Sequence, residues 1–192
     1  MTTSKKTQKS PNFVSVLTPI LLILIVILGG LYWVKFNFQS DPRSSGMSRP
    51  AVGVSLPNFS LTQMDDTAIP VSQVHGKVIL MNFWATWCEA CMEEMPSLVK
   101  LWKKYHPKGL QIIAINLDEN PGSVVPRVMS QYQMQFPVFQ DPEGKIAELL
   151  DVHAIPLTVI MNKERKILYM RDGEKNWNSP EVHAQMERWL AE

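Results

Sequence analysis

Cys88 and Cys91 are the only cysteines in 192 residues, and they lie two residues apart in Trp87-Cys88-Glu89-Ala90-Cys91. They directly follow the apolar run Val78-Ile79-Leu80-Met81-Asn82-Phe83-Trp84. A strand that ends in C-x-x-C and opens a helix is the layout of a redox dithiol. The first cysteine then sits at a helix N-terminus, where unpaired backbone N–H groups and the helix dipole favour a thiolate. The second lies one turn on, within reach of a small disulfide ring.

Two other uses of such a pair fit less well. Tetrahedral zinc needs four ligands, and the remaining candidates, His75, His106, His153 and His183, are scattered along the chain. A purely structural bridge over so short a loop removes little entropy from the unfolded chain. The sequence therefore predicts no metal and no cofactor, with the two sulfurs themselves as the reactive group.

The elements that must hold this pair follow from the apolar pattern. Val78–Trp84 reads as a central strand covered on both faces, and Leu110–Ile115 as a second. An edge strand is expected at Asn58–Thr62, and shorter strands at Phe136–Phe139, Leu157–Met161 and Lys166–Met170. The helix opening at Cys88 continues through Leu98 and Trp102, with Pro96 removing one of its backbone hydrogen bonds. Further helices are expected over Val124–Tyr132 and Glu143–Leu150. A last helix is signalled by Ser179 as N-cap and Pro180 at its first position. Strands alternating with helices predict an α/β layered domain.

The N-terminus has a different composition. Residues 13–34 carry no charge and contain the aliphatic run Ile20–Leu28. At ~1.5 Å per residue a helix of that length reaches roughly 33 Å, enough to cross a bilayer core. Lys5, Lys6 and Lys9 precede it, and Tyr32 and Trp33 stand at its far end. The expected plan is a cytoplasmic tail at 1–12, a single-pass signal-anchor helix at 13–34, a flexible linker at 35–52 and a globular domain at 53–192. The anchor is expected to be retained, because the apolar stretch runs into Leu31-Tyr32-Trp33-Val34 rather than small residues. The first 50 residues carry a net charge of +5 against +1 for the whole chain, so the rest is mildly acidic. That balance gives no reason to expect nucleic-acid binding.

Gly76–Cys91 together with Glu94-Met95-Pro96 resembles the TlpA/ResA/CcmG group of thioredoxin-like proteins, from about Gly53 to the C-terminus. The resemblance implies a thioredoxin-like fold, a central mixed sheet flanked by helices, with an extra strand–helix insertion over Asn116–Asp141. It implies a membrane-anchored thiol–disulfide oxidoreductase on the periplasmic or extracytoplasmic side of the inner membrane. By position, Cys88 matches the exposed nucleophile and Cys91 the resolving cysteine. Trp87 matches the shielding tryptophan, and Glu94 the acid that helps set cysteine acidity and proton transfer. Pro156 matches the cis-proline that faces the cysteines, which would turn the backbone of Ile155 toward the substrate. Pro96 matches a helix-kinking proline. Implied partners are protein thiols and disulfides, apocytochrome c among them, and a membrane electron donor of the DsbD/CcdA type.

This chain departs from the family pattern where Ala90 replaces the proline before the second cysteine, and where Ala154-Ile155 replaces a stretch that often holds glycine. Acidic Glu89 and Glu94 oppose the thiolate electrostatically, so the dithiol is expected to donate electrons. Thiol oxidation in the reverse direction uses the same residues. A peroxidase would need a different loop before Cys88, and a copper chaperone a longer cysteine spacing. Asp118 and Glu119 read as a solvated turn, and His153 as a surface histidine.

Overall fold

The computed structural model describes residues 26–30, 32 and 49–192. Most of the expected anchor and linker lies outside the described residues. Among the described residues no helix is long and apolar enough to cross a membrane. The chain divides into two units, residues 1–46 and 47–192, and the second holds the cysteines.

That unit runs β1 (Ser60–Gln63), β2 (Ala68–Pro70), β3 (Val78–Trp84), α1 (Glu89–Tyr105), β4 (Leu110–Asn116), α2 (Pro121–Tyr132), β5 (Val138–Gln140), α3 (Lys145–Leu149), β6 (Leu157–Asn162), β7 (Ile167–Asp172) and α4 (Pro180–Ala191). The seven strands form one mixed sheet in the order β2-β1-β5-β4-β3-β6-β7. β3, β4 and β5 are parallel, while β6 and β7 continue antiparallel on one side and β1 and β2 on the other. This is the expected α/β architecture, with one strand more than the apolar pattern signalled. β2 is three residues long and ends in proline. It pairs through a turn in which the Asp65 carboxylate accepts from the amide and hydroxyl of Thr67.

Every residue of β3 is buried, which accounts for its near-continuous apolar sequence. Its side chains alternate between two cores. Val78, Leu80 and Trp84 join the α1 side with Met95, Leu98, Leu101 and Tyr105. Ile79, Met81 and Phe83 join the opposite side with Ile113, Ile146 and Leu150. Asn82 is the polar member of the first set. α1 continues through Pro96 to Tyr105, and α4 starts as expected, with Ser179 Oγ accepting from the Val182 amide.

The folded chain is already engaged at Arg49, which the sequence placed in the linker. Its guanidinium makes two hydrogen bonds to the Asp172 carboxylate, at 2.7 and 2.8 Å. The segment after it pairs along β7, with the Gly53 amide on the Ile167 carbonyl and the Ile167 amide on the Val54 carbonyl.

Candidate active site

The dithiol sits where β3 gives way to α1. Cys88 is the N-cap of α1 with an extended backbone, and its sulfur accepts the Cys91 amide at 3.2 Å. An N-cap side chain normally supplies an oxygen to the free amides of the first turn. Here a sulfur does so, and a thiolate would accept from that amide more strongly than a thiol. The two sulfurs are joined in a disulfide, with Cα atoms 5.2 Å apart. Cys88 retains 8% of its surface, Cys91 none, and the neighbouring Trp87 69%. Glu89 is exposed in the first helical turn, and Ala90 is half-buried.

Sheet order explains how a segment some 65 residues downstream reaches the pair. β6 lies antiparallel beside β3 with Leu157 opposite Phe83, so the start of β6 falls at the end of β3. The Ile155–Pro156 peptide bond just before it is cis, as expected. The Ile155 carbonyl oxygen lies 3.7 Å from the Cys88 sulfur. Ile155 is half-buried and Pro156 buried.

Glu94 lies three residues beyond Cys91, on the same face of α1, and is only 3% exposed. Three donors converge on its carboxylate. Asn82 Nδ2 reaches Oε1 at 2.8 Å, while Trp177 Nε1 and the Lys175 backbone amide reach Oε2 at 3.0 and 3.2 Å. Asn82 also donates to Thr158 Oγ1 at 3.0 Å, its direct partner across β3 and β6. Burial pushes the Glu94 carboxyl above its ordinary value, and the nearby Glu174 charge adds to this. The three donors pull it back without cancelling the burial. To the extent that Glu94 is protonated, its charge no longer opposes a thiolate at Cys88, which leaves exposed Glu89 as the acid that does.

A cavity of about 480 Å³ opens beside this carboxyl, between α1 and the loop from Gly173 to Asn178. Its walls include Glu93, Glu94, Ser97, Glu174 and Lys175, and none of Trp87, Cys88, Cys91 or Pro156. The loop is pinned to α1 through Ser97, whose hydroxyl accepts from the Trp177 amide at 2.9 Å.

Asp118 corrects the sequence reading. It is buried rather than solvated, and its carboxylate accepts from the Thr86 amide and hydroxyl at 2.9 and 2.7 Å and from Asn116 Nδ2 at 2.7 Å. It thereby fixes the turn that carries Trp87 and Cys88. Glu119 and His153 are exposed as expected, and His153 pairs with Asp151 at 3.0 Å. Sequence reasoning missed Asn82, Thr158, Lys175 and Trp177. Asn82 alone left a signal, as a polar residue in the middle of an apolar strand.

The matches to known proteins agree with this geometry. Residues 52–170 match the model of the AhpC/TSA family. A thiol-disulfide oxidoreductase ResA of Bacillus thuringiensis subsp. konkukian is 35% identical over 156 residues, which cover 80% of this chain and 86% of that protein. The ResA of Bacillus subtilis (strain 168) is 32% identical over 157 residues, covering 81% and 83%. Among solved structures, a protein of Chlorobium tepidum assigned as the thiol:disulfide interchange protein DsbE superposes with a TM-score of 0.65. It is 27% identical, over 73% of this chain and 98% of that one. With the cysteine pair at the end of β3 and these relatives together, the chain belongs to the AhpC/TSA family of thioredoxin-like proteins and is a thiol-disulfide oxidoreductase of the ResA and DsbE type.

Proposed function

We propose that this protein is a membrane-anchored reductase of protein disulfides, working on the extracytoplasmic side of the membrane with Cys88 as its nucleophile. The observation that carries the assignment of roles is the unequal exposure of the two cysteines, with Cys91 fully enclosed and Cys88 keeping 8% of its surface beside exposed Trp87. In the reduced protein the Cys88 thiolate attacks one sulfur of a substrate disulfide, and the other leaves as a thiolate and takes up a proton. The Cys91 sulfur, on losing its proton, then attacks Cys88. The second substrate sulfur leaves, the Cys88–Cys91 disulfide closes, and two electrons and two protons have passed to the substrate. Glu94, one turn beyond Cys91, is the group that accepts the Cys91 proton and returns it to the departing thiolate.

Substrate docks across Trp87, Ile155 and Pro156. The exposed tryptophan supplies apolar contact, and the backbone beside Cys88 supplies strand-like pairing. Glu89 in the first turn offsets the helix dipole and weakens the thiolate, which favours donation of electrons. Ala90 in place of a stiffer residue is the second tuning position. The charge-free stretch at residues 13–34 with basic residues before it supports an anchor with the domain outside. Apocytochrome c is one substrate of the right chemistry, and a membrane dithiol carrier of the DsbD/CcdA type would restore the reduced state.

The test is trapping in cells with the full chain. Cys91→Ala accumulates mixed disulfides through Cys88, reversed by reductant, and the captured proteins name the substrates. Recovery of no disulfide-linked protein would overturn the reading. A measured potential near that of the strong oxidant DsbA, about −120 mV, would reverse the direction.

A further inference from the structure

Trp177 lies 86 residues beyond Cys91 in the sequence, in the loop between β7 and α4, and is 1% exposed. Its indole N–H donates to Glu94 Oε2 at 3.0 Å. Its backbone amide is held by Ser97 Oγ at 2.9 Å, which fixes the loop carrying the ring against α1. An indole N–H has one hydrogen bond to give, and leaving it unpaired inside a protein is costly. In this fold the acceptor that satisfies it is the one buried carboxylate on the dithiol helix. The remaining members of the cluster divide by side. β3 and β6 contribute the neutral Asn82 and Thr158, the loop contributes Glu174 and Lys175, and α1 contributes Glu93 and Lys100 at the mouth of the cavity.

Resting on the reading of Glu94 as the proton-transfer group, we infer that Trp177 is a positioning residue for the redox step: its indole N–H holds the Glu94 carboxylate in its inward orientation and favours the charged form. Trp177 touches neither sulfur and acts through Glu94. The oxygen it holds, Oε2, also carries the Lys175 amide, whereas Oε1 carries Asn82 alone. The proton is therefore taken up at Oε1, the oxygen with fewer donors, on the Asn82 side. Asn82 Oδ1 is buried and has no hydrogen-bond partner among the described residues. A half-turn of the Asn82 amide would present that oxygen to a protonated Oε1, so the network holds an acceptor for the proton once Glu94 has it. The cavity beside Glu94 lets the proton exchange with water on a side that a substrate lying across Trp87 and Pro156 does not cover.

The test measures the rate at which iodoacetamide alkylates Cys88 in the reduced full-length chain, from pH 4 to 10. It compares the wild type, Trp177→Phe, Glu94→Gln and the double variant. Trp177→Phe keeps an aromatic ring in the core and removes the donor. It moves the inflection assigned to Glu94 upward by about one pH unit, the effect of losing one hydrogen bond to a charged group. Glu94→Gln removes the inflection, and the double variant matches Glu94→Gln. An unshifted inflection in Trp177→Phe, with Glu94→Gln still different from wild type, overturns the role of Trp177 and leaves that of Glu94. An inflection that survives Glu94→Gln overturns both. A second reading needs no change at Trp177: one of the six indole N–H signals of the 15N-labelled wild type must move with that same inflection, and must stop moving in Glu94→Gln. Six stationary signals overturn the inference.

Discussion

The site has a rim and a floor, and they are built differently. The rim consists of exposed Trp87 and Glu89, half-buried Ile155 and Cys88, which keeps 8% of its surface, all close to one another by virtue of one motif and one strand pairing. The floor consists of Glu94, Asn82, Thr158 and Trp177, which are buried and come from four separate elements. Cys88 apart, whose sulfur is bonded to buried Cys91, a rim side chain can change without leaving a buried partner unpaired. A floor side chain cannot, because each donor there is matched to a buried acceptor. On the proposed function, the rim would be free to set which protein binds and how reducing the pair is, while the floor would set when protons move.

The largest effects test the division at its centre. Cys88→Ala is expected to leave no reductase turnover above background with the fold intact, checked by a disulfide-reduction assay beside a circular dichroism melt. Glu94→Gln should slow turnover by about 10²-fold, the usual scale for a positioned proton-transfer group. It should also change how stability depends on pH. The folded-state value of Glu94 lies above its ordinary 4.5, so the folded protein holds that proton more tightly than the unfolded chain does. Its penalty on stability is absent below the ordinary value and grows until the pH passes the raised one. Measured by urea unfolding, Glu94→Gln should compare more favourably with wild type at pH 8 than at pH 4. Identical differences at both pH values would remove Glu94 from the floor.

Smaller changes sharpen the boundary. Asp118→Ala leaves the Thr86 amide and hydroxyl and the Asn116 amide without their shared acceptor, and should cost about 2 kcal/mol of stability by the same urea measurement. Trp87→Ala should raise KM for a protein substrate while shifting stability by less than about 0.5 kcal/mol, since the ring is exposed. A large loss of stability there would mean that the rim is structural after all. Arg49→Ala should cost less than about 1 kcal/mol, as an exposed pair does, and leave turnover unchanged.

The same division explains what could be read from the sequence. The rim is legible because its chemistry is local: C-x-x-C after a buried strand places Trp87, Cys88 and Glu89 side by side, whereas Glu94 in the floor was marked only by resemblance to a family. The buried, central place of β3 and β4 was legible from their continuous apolar runs, which a doubly covered sheet accommodates, while the order of the strands was not. Pro156 and Ile155 came from resemblance to a family rather than from pattern. The floor was hidden because Trp177 is an ordinary apolar residue until the fold delivers a carboxylate to its N–H. Asp118 read as solvent-facing because its partner Thr86 is 32 positions away, and acids before a helix are usually wet. β2 was missed because three residues ending in proline carry no alternation.

The upstream pairing along β7 bears on a hazard peculiar to this trade. β7 is a terminal strand of the sheet, and an open terminal strand is a template for another chain in extended form. On the proposed function, the protein's clients would be extended or only partly folded. Residues 53–56 lie along the first part of that strand, through Gly53, Val54 and the Ser55–Lys166 bridge, and Arg49 closes on Asp172 at its far end. The stretch that leads into the domain thus covers the start of that edge, and on the proposed function a client would pair instead at Ile155, beside the sulfur that can release it.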